Sequence, residues 1–265
     1  MGKPALWEVS TQDGHVAGWL LGTVHVLPAG TRWETPRLDE ALAKAGVLVV
    51  EVRDLGDSEA IAGIFRSLAT DNPGPPLDLR LAPAERARLD ALLERDDVDP
   101  DRFDGLETWG AALAIAQLDQ SGDAANGADR VLLSQFKGRP IEELEGARAQ
   151  LSIFDRLPAK DQHDLLMGVI DESNAGPQAQ EQLAQAWLRG DTAEIEDLSR
   201  RGILSYPDLY KALLLDRNKA WVGKVAALLS SGRRPFVAVG AAHMLGDDGL
   251  PALLRARGFK VRRVQ

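Results

Sequence analysis

The chain has 265 residues, of which 45% are hydrophobic and 27% charged, and it carries a formal net charge of −9. That length supports a substantial core, whereas the acidic balance argues against a nucleic-acid partner, because phosphate binding needs a basic surface. No apolar run reaches the roughly 18 residues of a membrane-spanning helix, and the absence of cysteine excludes disulfides and thiolate metal sites.

No signal-peptide pattern opens the chain, so it reads either as a cytoplasmic protein or as a mature segment without its leader. The runs ALWEVS and HVAGWLLGTVHVL flank TQDG, whose Asp13-Gly14 pair suits a hairpin turn. The second run is apolar on both faces, the mark of an internal strand. TPRLDEALAKAG reads as a helix, with Thr35 as cap, Pro36 at the first position and Gly46 beyond the end. VLVVEV follows as a buried strand, so strand, helix and strand suggest a parallel crossover.

From about residue 60 to about residue 227 the pattern is mainly helical, and we expect a helical insertion within a single domain spanning 1–265. APAERARLDALLERD is amphipathic and TWGAALAIAQLDQ is apolar enough for a buried helix. Loops are expected at Asn72–Pro76 and Ser121–Gly127. GRPIEELEG suggests a short strand ending at Glu145, and a long helix is expected over LYKALLLDRNKAWVGKVAALLSSG. The tail from Arg234 reads strand, loop, helix and strand. The expected class is therefore α/β (α+β), with a central mixed sheet, surrounding helices and a largely helical middle segment.

One spacing occurs twice. Gly22 precedes His25 by three residues, and Gly240 precedes His243 by three, each pair closing an apolar run. Ligand sites in open α/β sheets gather at the carboxyl ends of strands, and glycine there permits close backbone approach. Imidazole serves as a metal ligand or as an acid–base group near neutral pH; the plainer alternative is a half-buried residue bonded to a carbonyl. Glu51 lies within or just after VLVV, where a carboxylate must be paired, protonated, metal-bound or already in water. His25, His243 and Glu51 together form a ligand set suited to Zn, Mn or Co, with Glu51 doubling as a catalytic carboxylate. Arg217 either steadies an oxyanion or tethers the late helix through a buried ion pair. Asn218 either donates to the same oxyanion or caps a strand end. His15 and His163 read as residues without a catalytic part, and Trp19, Trp33, Trp109 and Trp221 as core or pocket wall. The basic ending RARGFKVRR reads as an amphipathic helix and an edge strand.

These motifs, in this order, resemble the TraB/GumN family, which includes the Tiki proteases. The resemblance rests on Gly22 and His25, Glu51, Arg217 with Asn218, and Gly240 with His243, and extends to the block GADRVLLSQFKGRPIEELEGARAQL through Asp129, Glu145 and Gln150. The block departs from the family where Gly146 replaces the usual threonine. The resemblance implies an erythromycin-esterase/ChaN-like fold, an exported protein (periplasmic or extracellular), and for the Tiki members metal-dependent proteolysis. On that basis the chain is expected to be a metal-dependent hydrolase, a peptidase, using a divalent Mn, Co or Zn ion on a peptide or small-molecule substrate, with Gly22, Gly240, Glu145 and Asp129 supporting the pocket. The alternative is a module of the same fold that binds a peptide or small ligand without turnover. H-E-x-x-H and G-x-S-x-G patterns are both absent.

Overall fold

The computed structural model describes residues 2–118 and 126–265; the loop expected at Ser121–Gly127 lies, as far as residue 125, outside them. The strands are β1 (Leu6–Ser10), β2 (Val16–Thr23), β3 (Val47–Val50), β4 (Ile141–Glu143), β5 (Pro235–Gly240) and β6 (Lys260–Arg263). They form one sheet in the order β4-β3-β5-β2-β1-β6. β4, β3, β5 and β2 run parallel, while β1 is antiparallel to both β2 and β6, so the sheet is mixed as expected.

Parallel strands are covered on both faces and therefore read as unbroken apolar runs. VLVV of β3 is buried throughout, and so is β2 after Val16. β6 forms one edge, where the exposed Lys260, Arg262 and Arg263 discourage pairing with a further strand.

The helices are α1 (Pro36–Lys44), α2 (Ser58–Ala69), α3 (Pro83–Arg95), α4 (Thr108–Ala116), α5 (Ala128–Gln135) and α6 (Ala147–Asp155). They continue with α7 (Ala159–Ala175), α8 (Pro177–Arg189), α9 (Thr192–Ser199), α10 (Pro207–Tyr210), α11 (Asp216–Ser230) and α12 (Leu250–Ala256). Thr35 caps α1, its side chain accepting from the Leu38 amide at 3.2 Å, with Pro36 at the first position. Among the described residues no helix is long and apolar enough to cross a membrane.

The crossover from β2 through α1 to β3 is parallel, but its strands are not neighbours. β5, from the far end of the chain, lies between them. Gly22 pairs with Val239 and Thr23 with Gly240, which sets the two Gly-x-x-His elements side by side. One apolar core surrounds the sheet, built from its strands with residues such as Leu38, Leu132, Trp187, Trp221 and Leu254. A second lies among the middle helices around Leu92, Trp109, Leu166 and Ile170.

Gly22 has a packing reason. A β-carbon there would stand 2.8 Å from the Ala241 Cα, in the 3₁₀ turn Ala241–Met244 that carries the second histidine. Gly22→Ala is therefore expected to lower stability by about 1–3 kcal/mol, the usual cost of overpacking a rigid neighbour. Denaturant midpoints of the two proteins measure it, and an unchanged midpoint would show that the turn gives way freely.

Candidate active site

His25, Glu51, Glu145 and His243 follow the carboxyl ends of β2, β3, β4 and β5, and α11 brings Arg217 and Asn218 across them. The expected long helix is continuous but not uniform. Between α10 and α11 it takes a π-turn over Lys211–Leu215, directly before Asp216, Arg217 and Asn218. Such a turn adds one residue to the helical repeat and re-aims the side chains beyond it, and it is common at functional sites.

Arg217 is the centre of the cluster. Its Nε donates to Glu145 Oε1 at 3.0 Å; Nη2 donates to Glu51 Oε2 at 2.6 Å and to Glu145 Oε2 at 2.9 Å. Nη1 donates to the Leu213 carbonyl at 3.2 Å and to His243 Nε2 at 3.2 Å. A guanidinium has five N–H groups, and these bonds use every one. The carboxylates of Glu51 and Glu145 and the side chain of Arg217 are each only 11–12% exposed. The guanidinium also lies 4.6 Å from the centre of the Trp221 ring, a cation–π contact.

Neutral donors complete both carboxylates. Glu51 accepts the Gly240 amide at 2.8 Å and the Gln150 side-chain amide at 2.9 Å; Glu145 accepts the Trp221 indole N–H at 3.0 Å. Burial alone would raise the Glu51 carboxyl. The charge of His243 when protonated, the Arg217 charge and the Gly240 amide outweigh burial and hold Glu51 at about 2. His243 is itself pushed down to about 4, chiefly by burial, so at neutral pH Arg217 is the main cation beside Glu51, with a smaller effect from His25.

Arginine only donates, which settles the His243 tautomer. Nε2 is the acceptor, so Nδ1 carries the proton and gives it to Asn218 Oδ1 at 2.7 Å. Asn218 is fully buried and its amide donates to the Asp248 carbonyl at 2.8 Å. It straps the loop after β5 to α11. His243 is buried too, against Trp221 at 4.5 Å between ring centres.

His25 stands apart in kind. Its side chain is 73% exposed, and Nδ1 lies 2.9 Å from Oδ2 of Asp129, which is 9% exposed. Thr23 Oγ1 donates to the other Asp129 oxygen at 2.6 Å. The hydrogen bond and charge of Asp129 raise His25 to about 9. Among the described residues no protein group bonds Nε2 of His25. The charges of Glu51 and Arg217 reach His25, and that of His25 reaches His243, so the two histidines share one neighbourhood.

The metal set expected from the sequence does not fit as these residues are arranged. Arg217 bonds both Glu51 and His243, and among the described residues no three His, Asp or Glu side chains stand where they could share an ion. Glu145 lies just past β4 rather than at its end. His15 is exposed in the hairpin, and His163 lies in α7, 3.2 Å from Glu85. Trp19, Trp33, Trp109 and Trp221 are all buried.

Two contributors escaped sequence reasoning. Thr23 orients Asp129, and its one signal was a hydroxyl ending an apolar strand. Trp221 was legible as an aromatic wall, but its N–H to Glu145 was not. A cleft of about 520 Å³ borders the cluster on its helical side, reaching Glu145 and Arg217 from Ile153, Leu157, Asp208 and Lys211; His25 is not in its lining.

The model of the TraB/PrgY/gumN family matches residues 5–263. The chain is similar to the uncharacterized protein YbaP of Shigella flexneri, at 28% identity over 92% of this chain and 90% of that one. It is likewise similar to YbaP of Escherichia coli strain K12, at 28% identity over 89% of this chain and 87% of that protein. No solved structure matches it. With the match running through every strand of the sheet and every residue of the cluster, the chain belongs to the TraB/PrgY/gumN family.

Proposed function

We propose that the chain is a hydrolase, acting on a peptide or small-molecule carbonyl, in which His25 is the acid–base group. One observation carries this reading: an exposed imidazole whose Nδ1 is held by a buried, hydroxyl-bonded carboxylate and whose Nε2 is left without a protein partner among the described residues. That arrangement fixes the ring and its tautomer and presents one nitrogen to a reactant. Neutral His25 takes a proton from water at Nε2 as the water oxygen bonds to the carbonyl carbon. The bond to the leaving amine or alcohol then breaks, and the same proton passes to the leaving atom. Arg217 and Asn218 take the role of organisers that hold Glu51, Glu145 and His243 in place.

A second reading, a module that binds a peptide or small ligand without turnover, draws on a specific feature. Every N–H of Arg217 already has a partner within the protein, so it has none aimed at an oxyanion. Hydrolysis of a broad peptide and ester library by wild type and by His25→Ala separates the two. For the hydrolase, wild-type turnover rises tenfold per pH unit through neutrality and levels near pH 9, where His25 loses its proton, and His25→Ala loses about 10²–10⁴-fold. Equal rates from the two proteins, flat with pH, would leave the binding module standing.

A further inference from the structure

The sequence pattern assigns a divalent ion to the site, and the folded chain places a guanidinium at its centre. We infer that Arg217 is the resident cation of this site and that the site is complete without a divalent metal. A metal ligand needs a lone pair free to face the ion. His243 Nε2 faces Arg217 Nη1 at 3.2 Å, and its other nitrogen is protonated toward Asn218. Glu51 Oε2 faces Arg217 Nη2 at 2.6 Å, and Oε1 takes the Gly240 amide at 2.8 Å. Both Glu145 oxygens are bonded to the same guanidinium. An ion placed among these groups would have to displace a cation that cannot lose its proton and whose five donors are all engaged.

Charge agrees with geometry. Glu51 and Glu145 bring two negative charges and Arg217 one positive. The residual charge is spread over carboxylates that each accept three N–H groups, with Gly240, Gln150 and Trp221 supplying the neutral donors. The π-turn of Lys211–Leu215 belongs to the same design, since it immediately precedes Arg217 and its Leu213 carbonyl receives one of the five donors.

The test reads metal content and thermal midpoint without substrate, so its outcome is independent of the hydrolase reading. Wild type and Arg217→Ala are purified without chelator, and each is then measured with EDTA and with MnCl₂, CoCl₂ or ZnCl₂. Wild type should hold no stoichiometric metal, and its midpoint should ignore both chelator and metal. Arg217→Ala frees the lone pairs of Glu51, Glu145 and His243 that face the guanidinium, and with these side chains closing into the space it leaves the variant should take up one ion. At a hundredfold excess over Kd that uptake raises the midpoint by on the order of 5–10 °C. The inference is overturned if wild type carries one equivalent of metal and loses midpoint with EDTA, or if folded Arg217→Ala takes up none. Should the alanine variant fail to fold, the wild-type measurement decides alone.

Discussion

For the proposed hydrolase, Asp129→Asn is expected to cut turnover by about 10²–10⁴-fold, the range that a positioned acid–base group contributes. An amide is nearly isosteric with the carboxylate, so the Thr23 contact and the fold should survive. The chemistry changes in two ways. The charge that raises His25 to about 9 disappears, so the break in the pH profile should move toward the ordinary 6.5. The amide can also turn its NH₂ toward Nδ1, which leaves the proton on Nε2 and removes the base from the face that meets water. A lower plateau together with an acid-shifted break is the signature, measured on protein with unchanged circular dichroism. Unaltered turnover and pH profile would remove the His25–Asp129 pair from the chemistry.

Arg217→Ala, held in chelator, should cost about 3–5 kcal/mol, as for breaking a buried ion pair by removing one partner. For a chain of this size that is on the order of 10 °C in midpoint. The loss should depend on pH in a stated direction. In wild type the Glu51 carboxyl is held down at about 2, so its contribution is complete above its ordinary value of 4.5 and is lost as pH falls toward 2. In the variant, burial without the guanidinium raises the Glu51 carboxyl, so folding takes up a proton and acidification helps. The midpoint gap between the proteins should be widest near pH 7 and should narrow below pH 4.5. Adding Glu145→Gln to the variant should restore part of the loss by removing one unpaired charge. A gap that stays constant with pH would mean that the packing of the arginine side chain matters more than its charge.

Much of this architecture was legible because it is local. Continuous apolar runs identified β2 as an internal strand, β3 as a buried one and β5 as a strand, and Thr35 with Pro36 located α1. The repeated Gly-x-x-His spacing led to the cluster because both histidines follow strands that turn out to be parallel neighbours. That neighbourhood is a long-range fact. Nothing in VLVVEV says that β5, rather than β2, lies beside it. The π-turn was invisible for a related reason, since KALLL suits an α-helix equally well and only the backbone bond from the Asp216 N–H back to the Lys211 carbonyl distinguishes the two. The roles of Arg217 and Asn218 also needed the fold. Residue type left open whether they face a reactant or groups of the protein itself, and only the folded chain shows that every N–H of Arg217 has a partner within it. Thr23 and Asp129 lie on separate elements, so their bond to each other could not be read from spacing.

The position of β5 has a consequence for how the molecule comes into being. Until residues 235–240 emerge from the ribosome, β1 with β2 and β3 with β4 are two ribbons with no strand between them, and each offers an open, apolar edge. The helices made in between cannot close that gap. The strand pairing that welds the ribbons is of high contact order and therefore slow, and the nascent chain must be kept from edge-to-edge association while it waits. The welding strand also delivers the Gly240 amide to Glu51 and His243 to Arg217, so the ionic cluster is completed only once β5 has paired. A chain cut short before β5 thus acquires neither a finished sheet nor the site, and a partly made protein cannot display half of its chemistry.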